Sequence, residues 1–184
     1  MEFQSARPDI VQAINQRWLL KFWNGTRGER PLPVWQTLDG RELSAMAENL
    51  SFTDVIRRNG GQRYLIRYHG KRIGEAYGSD CHGRYLDEIL PESYRDAALA
   101  TYHQVVAGRY PVYTSFNTVD RSGRMVHFER LLLPFGKDGE TVDRILASLE
   151  MVCPDGAFDN RNLMVARRTP SSFAVCAVID RMAD

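Results

Sequence analysis

Gly83-Arg84-Tyr85-Leu86-Asp87-Glu88-Ile89-Leu90-Pro91 is the segment on which the architecture of this chain turns, because helical and strand periodicities change on either side of it. Downstream, Pro91 opens a helix through Ala107: proline suits a first turn, Glu92 places negative charge there, and Gly108 offers a left-handed stop. Tyr94, Ala98, Tyr102, Val105 and Val106 form the buried stripe of that helix. Three strand-like runs follow, Pro111 to Val119, Met125 to Phe135 and Thr141 to Val152, joined by turns at Asp120-Arg121-Ser122-Gly123 and Gly136-Lys137-Asp138-Gly139. Such spacing predicts an antiparallel meander. In the last run Ile145, Ala147, Leu149 and Met151 share one face, with Ser148 and Glu150 on the other.

Upstream, glycines at 70, 74, 78 and 83 break the chain into pieces too short for one long helix, and short helical turns fit best. Before these, Phe52 to Arg58 and Gln62 to His69 flank Asn59-Gly60-Gly61, a tight turn that predicts a hairpin. Gly28 to Asp39 reads as a linker with Pro31 and Pro33, followed by a short helix over Glu42 to Asn49. From Pro8 to Arg27 the apolar residues Ile10, Val11, Ile14, Trp18, Leu19, Phe22 and Trp23 recur at helical spacing. This stripe must be buried, either on the chain's own sheet or against a second copy, which makes Trp18, Leu19, Phe22 and Trp23 dimer-interface candidates. The organisation is therefore an N-terminal helix and linker over 1–49, a core over 50–152 and a tail over 153–184. Within the tail, the apolar run Phe173 to Ile179 can add a strand.

At 184 residues the chain fits one domain with terminal additions. Lys and Arg number 24 against 23 Asp and Glu, a net charge of +1, so nothing draws the whole molecule to nucleic acid or an anionic membrane. No apolar run approaches the roughly 20 residues that span a bilayer, and a cytoplasmic location is expected. Cys81, Cys153 and Cys176 are odd in number and form no CxxC pair, which speaks for reduced thiols and against a disulfide framework or a four-ligand zinc site.

The order strand, strand, short helices, long helix, three strands over residues 50–152 resembles the PAS domain family. Tyr77-Gly78 through the Gly83–Pro91 segment resembles that family's turn into its long helix. A closer likeness is to a group of stand-alone bacterial PAS proteins common in alphaproteobacteria, carried by Phe22-Trp23, Pro31 to Pro33, Gly108-Arg109-Tyr110-Pro111-Val112 and Glu129-Arg130-Leu131-Leu132-Leu133-Pro134. After its prolines this chain reads Val34-Trp35-Gln36-Thr37-Leu38-Asp39, where the group carries acidic residues and a further proline. The resemblance implies an α+β fold, a five-stranded antiparallel sheet with helices on one face and a small pocket between sheet and long helix. It also implies a non-enzymatic sensor or adaptor in signal transduction that binds a small molecule, a protein partner or both. The N-terminal helix would make it a homodimer, with an output partner unknown from sequence.

Each chemical version of that expectation depends on particular residues. Covalent flavin photochemistry in this family needs a cysteine where Leu86 stands, and Cys81 lies five residues too early, so Cys81 reads as a small buried residue. A haem ligand would sit about two turns before His103, near Arg95 or Asp96, and His103 reads as a surface residue. No cofactor and no metal site is therefore expected. Tyr64, Tyr77, Tyr94 and Tyr102 are candidates for lining the pocket, and core packing explains them equally well. Arg84 and Arg130 are candidates for a carboxylate or phosphate, as Arg95 also is, with salt bridges the competing role. His127 and Glu129 alternate on one strand and share a face, so they could form an acid/base pair, as in a small α+β cone enzyme of hydratase or isomerase type, or two ligands for a divalent metal; solvated surface or an ion pair with a neighbouring strand is the competing role, and His127 is also a ligand-binding candidate. Arg167-Arg168 lies in a tail too short to be a cyclic-dinucleotide receptor domain, and no phosphate loop, kinase or cyclase signature is present.

Overall fold

Apolar alternation over 112–119, 125–135 and 144–152 makes long strands, and polar turns between them leave only the hairpin connection within reach. A computed structural model of the protein, describing residues 2–37, 40–58, 60–164 and 173–181, places this meander at the centre of one sheet. In chain order the elements are β1 (Gln4–Ala6), α1 (Ile14–Arg27), α2 (Gly40–Leu43), β2 (Leu50–Arg58), β3 (Gly61–His69), α3 (Lys71–Tyr77), α4 (Leu86–Ile89) and α5 (Glu92–Gly108). Then come β4 (Val112–Val119), β5 (Met125–Phe135), β6 (Arg144–Val152) and β7 (Val175–Ile179). The strands lie in the order β1-β7-β4-β5-β6-β2-β3, with β1 parallel to β7 and every other pair antiparallel.

Two features depart from the expected sheet. It has seven strands among the described residues and is mixed, because Val175–Ile179 joins the edge of β4 and Gln4–Ala6 joins the edge of β7. Helices also cover both faces. Register pairs Thr114 with Arg130 and Arg130 with Leu149, so these three share the inner face with α3, α4 and α5. Tyr113, Glu129 and Glu150 point the opposite way, toward α1. Hence β6 is buried along almost its whole length, Ser148 and Glu150 included, where sequence alternation implied a half-exposed strand.

Docking of α1 follows from its stripe. Leu19, Leu20 and Trp23 are buried, and the Trp23 indole N–H donates to Pro134 O at 2.6 Å. Gln16, on the same helix face, is fully buried and donates to both Glu129 O (3.3 Å) and Ser148 O (3.0 Å). The helix starts at Ile14 instead of Pro8, because Ala13 is extended and its N–H donates to the Glu129 carboxylate at 3.2 Å; Pro8–Ile10 is a single 3-10 turn. Leu19 and Trp23 thus belong to the chain's own core, a correction to their place among interface candidates. Trp18 and Phe22 stack on each other at 5.2 Å on the outward side, Trp18 at 41% exposure.

The predicted linker is docked rather than free. Leu32 is fully buried and hydrogen-bonded to Gly139 O, and Trp35 meets the edges of Phe52 and Phe135 at 4.8 and 5.4 Å. At the end of α5 the left-handed residue is Arg109 (φ 60°), one position after the glycine expected there, and its N–H returns to Val105 O. The strand expected from Thr141 begins at Arg144, since the Asp138 carboxylate accepts the N–H groups of Glu140 and Thr141 and prolongs the turn.

Candidate functional site

Between the inner sheet face and the short helices lies a cavity. The broken glycine-containing segment makes it: α3 is stopped at Gly78, which has positive φ, and the chain then crosses to α4, leaving Ile73, Tyr77, Leu86 and Ile89 facing the sheet without closing onto it. Ser51, Ile66 and Leu149 form the floor, and Tyr102 and Arg130 form one wall. The volume open to a water's centre is about 20 Å³, room for about one water, so any larger guest enters by displacing side chains.

Arg130 is the chemically distinctive member. Its residue is 3% exposed, and its guanidinium donates to the Thr101 hydroxyl at 2.8 Å while Nε has no partner among the described residues. Aromatic faces surround it: the carbon of the guanidinium lies 5.2 Å from the Phe173 ring centre, 5.6 Å from Tyr102 and 5.9 Å from Tyr94. Burial works against its charge and the neighbouring Tyr94, Tyr102 and Tyr77 work for it, with a net upward shift, so Arg130 stays a cation throughout the working pH range. The Tyr94 hydroxyl beside it is also unpartnered, and burial pushes that phenol up to about 12.

Of the sequence-derived ligand candidates, Tyr77, Tyr102 and Arg130 line the cavity, and Tyr94 backs Arg130. Tyr64 is buried but lies beyond the cavity, its ring 5.0 Å from Tyr102 and its hydroxyl 2.8 Å from His103 Nδ1. Arg84 does not belong to the site: it is exposed and donates to Glu88 O at the end of α4. His127 is on the wrong face, because one residue along a strand reverses the side chain. It sits 3.3 Å from Glu129, whose carboxylate also accepts the Ala13 N–H, and Glu150, paired with Glu129 across the register, accepts from Asn15 and Asn49. These acids hold the start of α1 to the sheet.

His69 was not singled out as a site residue, yet it lines the cavity. Its Nε2 lies 3.0 Å from the Cys81 N–H and 2.8 Å from the Asp80 carboxylate, while Nδ1 faces Gly70 O at 3.2 Å. A neutral ring protonated on Nδ1 accepts the Cys81 N–H; a charged ring gives its Nε2–H to Asp80 instead. Plain alternation carries no sign of this, because Ile66 lies three residues earlier; a bulge at Arg67, where Phe52 pairs with Tyr68 but Thr53 with Ile66, shifts the parity and turns His69 to the same face as Ile66. Cys81 is buried and lines the same cavity, with burial raising its thiol. Among the described residues no group of three or more His, Cys, Asp or Glu side chains is placed to hold a metal ion.

A family model described as PAS domain matches residues 11–150. Among curated proteins no match is found. Solved structures similar to this chain include "Flavin Analogue Sheds Light on Light-Oxygen-Voltage Domain Mechanism", 16% identical, with 62% of this chain and 84% of that one covered and a TM-score of 0.42. "The light state structure of the blue-light photoreceptor Aureochrome1 LOV" is likewise 16% identical, with 62% and 89% covered and a TM-score of 0.40.

Proposed function

The chain belongs to the PAS domain family, and from that premise we propose that it is a sensor that takes a small molecule into the cavity at Arg130 and passes the change to α1. Domains of this family are generally sensory modules without catalysis. The observation that carries the reading is Arg130 itself: a buried guanidinium facing a cavity, held by one neutral hydroxyl.

A route for the signal supports it. Arg130 and Glu129 are consecutive on β5 and point to opposite faces, so a guest that shifts Arg130 moves the strand that anchors α1 through Ala13 and Gln16. Trp18 and Phe22 then present the outward face of α1 to a second copy or to a signalling partner. The cone-enzyme reading gains nothing from His127 and Glu129, which lie away from the cavity with both carboxylate oxygens engaged. Covalent flavin chemistry is outside the proposal, since Leu86 occupies the position that would need the thiol and itself lines the cavity. Haem is outside it as well, because His103 turns to Tyr64 and Gln62 at the edge of the hairpin.

Native mass spectrometry of freshly purified protein tests both halves. The expected spectrum contains a dimer with a small co-purifying mass that is absent from Arg130→Met. A clean monomer whose mass matches the bare chain, unchanged by added small-molecule pools, would sink the proposal.

A further inference from the structure

Resting on that reading, we propose that the guest is a small monocarboxylate with an apolar body, its carboxylate paired with Arg130. A buried unpaired charge is strongly disfavoured, and native proteins keep one where something else supplies the counter-charge. No carboxylate of the described residues lies on this guanidinium: Thr101 is its one hydrogen-bonded partner, and Nε is left over. Nε and a neighbouring terminal nitrogen form the fork that a carboxylate matches with two parallel hydrogen bonds. Around the same spot, the hydroxyls of Tyr94 and of Thr114, the latter directly across the register from Arg130, are buried without partners among the described residues.

The remainder of the cavity sets the body of the guest. Ile66, Ile73, Leu86, Ile89 and Leu149 are hydrocarbon, so the part away from Arg130 is apolar. One guanidinium balances one negative charge. Phosphate at neutral pH carries more, and the site adds no second permanent cation to meet it. His69 adds a donor only when protonated, and Asp80 lies at its outer nitrogen to take that proton's hydrogen bond.

Isothermal titration at fixed ionic strength, with benzoate and hexanoate against benzamide and hexanamide, and inorganic phosphate as a further probe, decides the matter. The acids are expected to bind at least tenfold more tightly than their amides, with that preference lost in Arg130→Met and reduced in Arg130→Lys. If Arg130→Met does not fold, the acid-to-amide ratio on the unaltered protein still decides. Equal binding of acids and amides, or tighter binding of phosphate, overturns the carboxylate inference while leaving a ligand-binding pocket. Binding of no acid, amide or phosphate overturns the inference and the sensor reading together.

Discussion

Replacing Trp23 tests whether α1 is part of this domain's own core. The indole is fully buried between α1 and the outer sheet face, and its N–H donates to Pro134 O at 2.6 Å. Trp23→Ala removes the ring at a cost of about 3–5 kcal/mol, and leaving the Pro134 carbonyl without its donor adds about 1 kcal/mol. Against a typical total of roughly 5–15 kcal/mol, that loss is a large fraction of the stability, and the urea midpoint is expected to fall steeply. Trp23→Phe keeps most of the apolar contact and loses the hydrogen bond, for about 1–3 kcal/mol. Trp18→Ala, on the outward side and stacked only on Phe22, is expected to cost about 1 kcal/mol or less. Urea unfolding followed by far-ultraviolet circular dichroism, at protein concentrations a hundredfold apart, separates these cases. The reasoning is refuted if Trp23→Ala costs less than Trp18→Ala, or if its cost appears only at the higher concentration, since α1 would then pack on another copy.

Two further outcomes follow from local geometry. Arg109→Gly relieves a left-handed backbone at the end of α5, where the side chain makes an exposed 3.4 Å contact with Glu140; the thermal midpoint is expected to rise, by about 0.5–1 kcal/mol in free energy, and an unchanged or lower midpoint contradicts the assignment. Asp54 lies between Arg67 (2.6 Å) and Arg144 (2.8 Å): burial pushes its carboxyl up, and the two guanidiniums outweigh that and hold it below the ordinary 3.8. With the folded value depressed, the stabilisation is present above the unfolded value and lost as pH falls through the folded one. The gap between the urea midpoints of the unaltered protein and Asp54→Asn should therefore hold from pH 7 down to about pH 4 and close only as pH falls further, through the depressed folded value. A gap independent of pH would show that the ion pairs contribute nothing.

Much of the fold was legible in residue order because it rests on neighbours. The hairpin at Gly60-Gly61, the α5 stripe of Tyr94, Ala98, Tyr102 and Val105, and the register-forming alternation of β4, β5 and β6 arise within segments of a few to some twenty residues. The site was only partly legible. Tyr77, Tyr102 and Arg130 could be named from their side-chain chemistry, with the α5 stripe turning Tyr102 inward, whereas Arg84 shares the chemistry of Arg130 and faces solvent. His69 carries no such sign, because the bulge at Arg67 turns it inward and α3 packs beside it, neither of which plain alternation predicts.

Periodicity and turn chemistry by themselves determined which segments are strands and helices and that a long helix precedes a meander. Tertiary structure alone decided that Gln4–Ala6 lies beside Val175–Ile179, across nearly the whole chain. It alone put Leu19 and Trp23 inward and Trp18 outward on one apolar stripe, and placed Arg130 under α5 with Thr101 as its hydrogen-bond partner. The physical reason is common to all three. Local backbone preference acts over a few residues, but which face is buried, and whether a charge finds an opposite charge, depends on partners brought together only when the sheet and its two helical layers close.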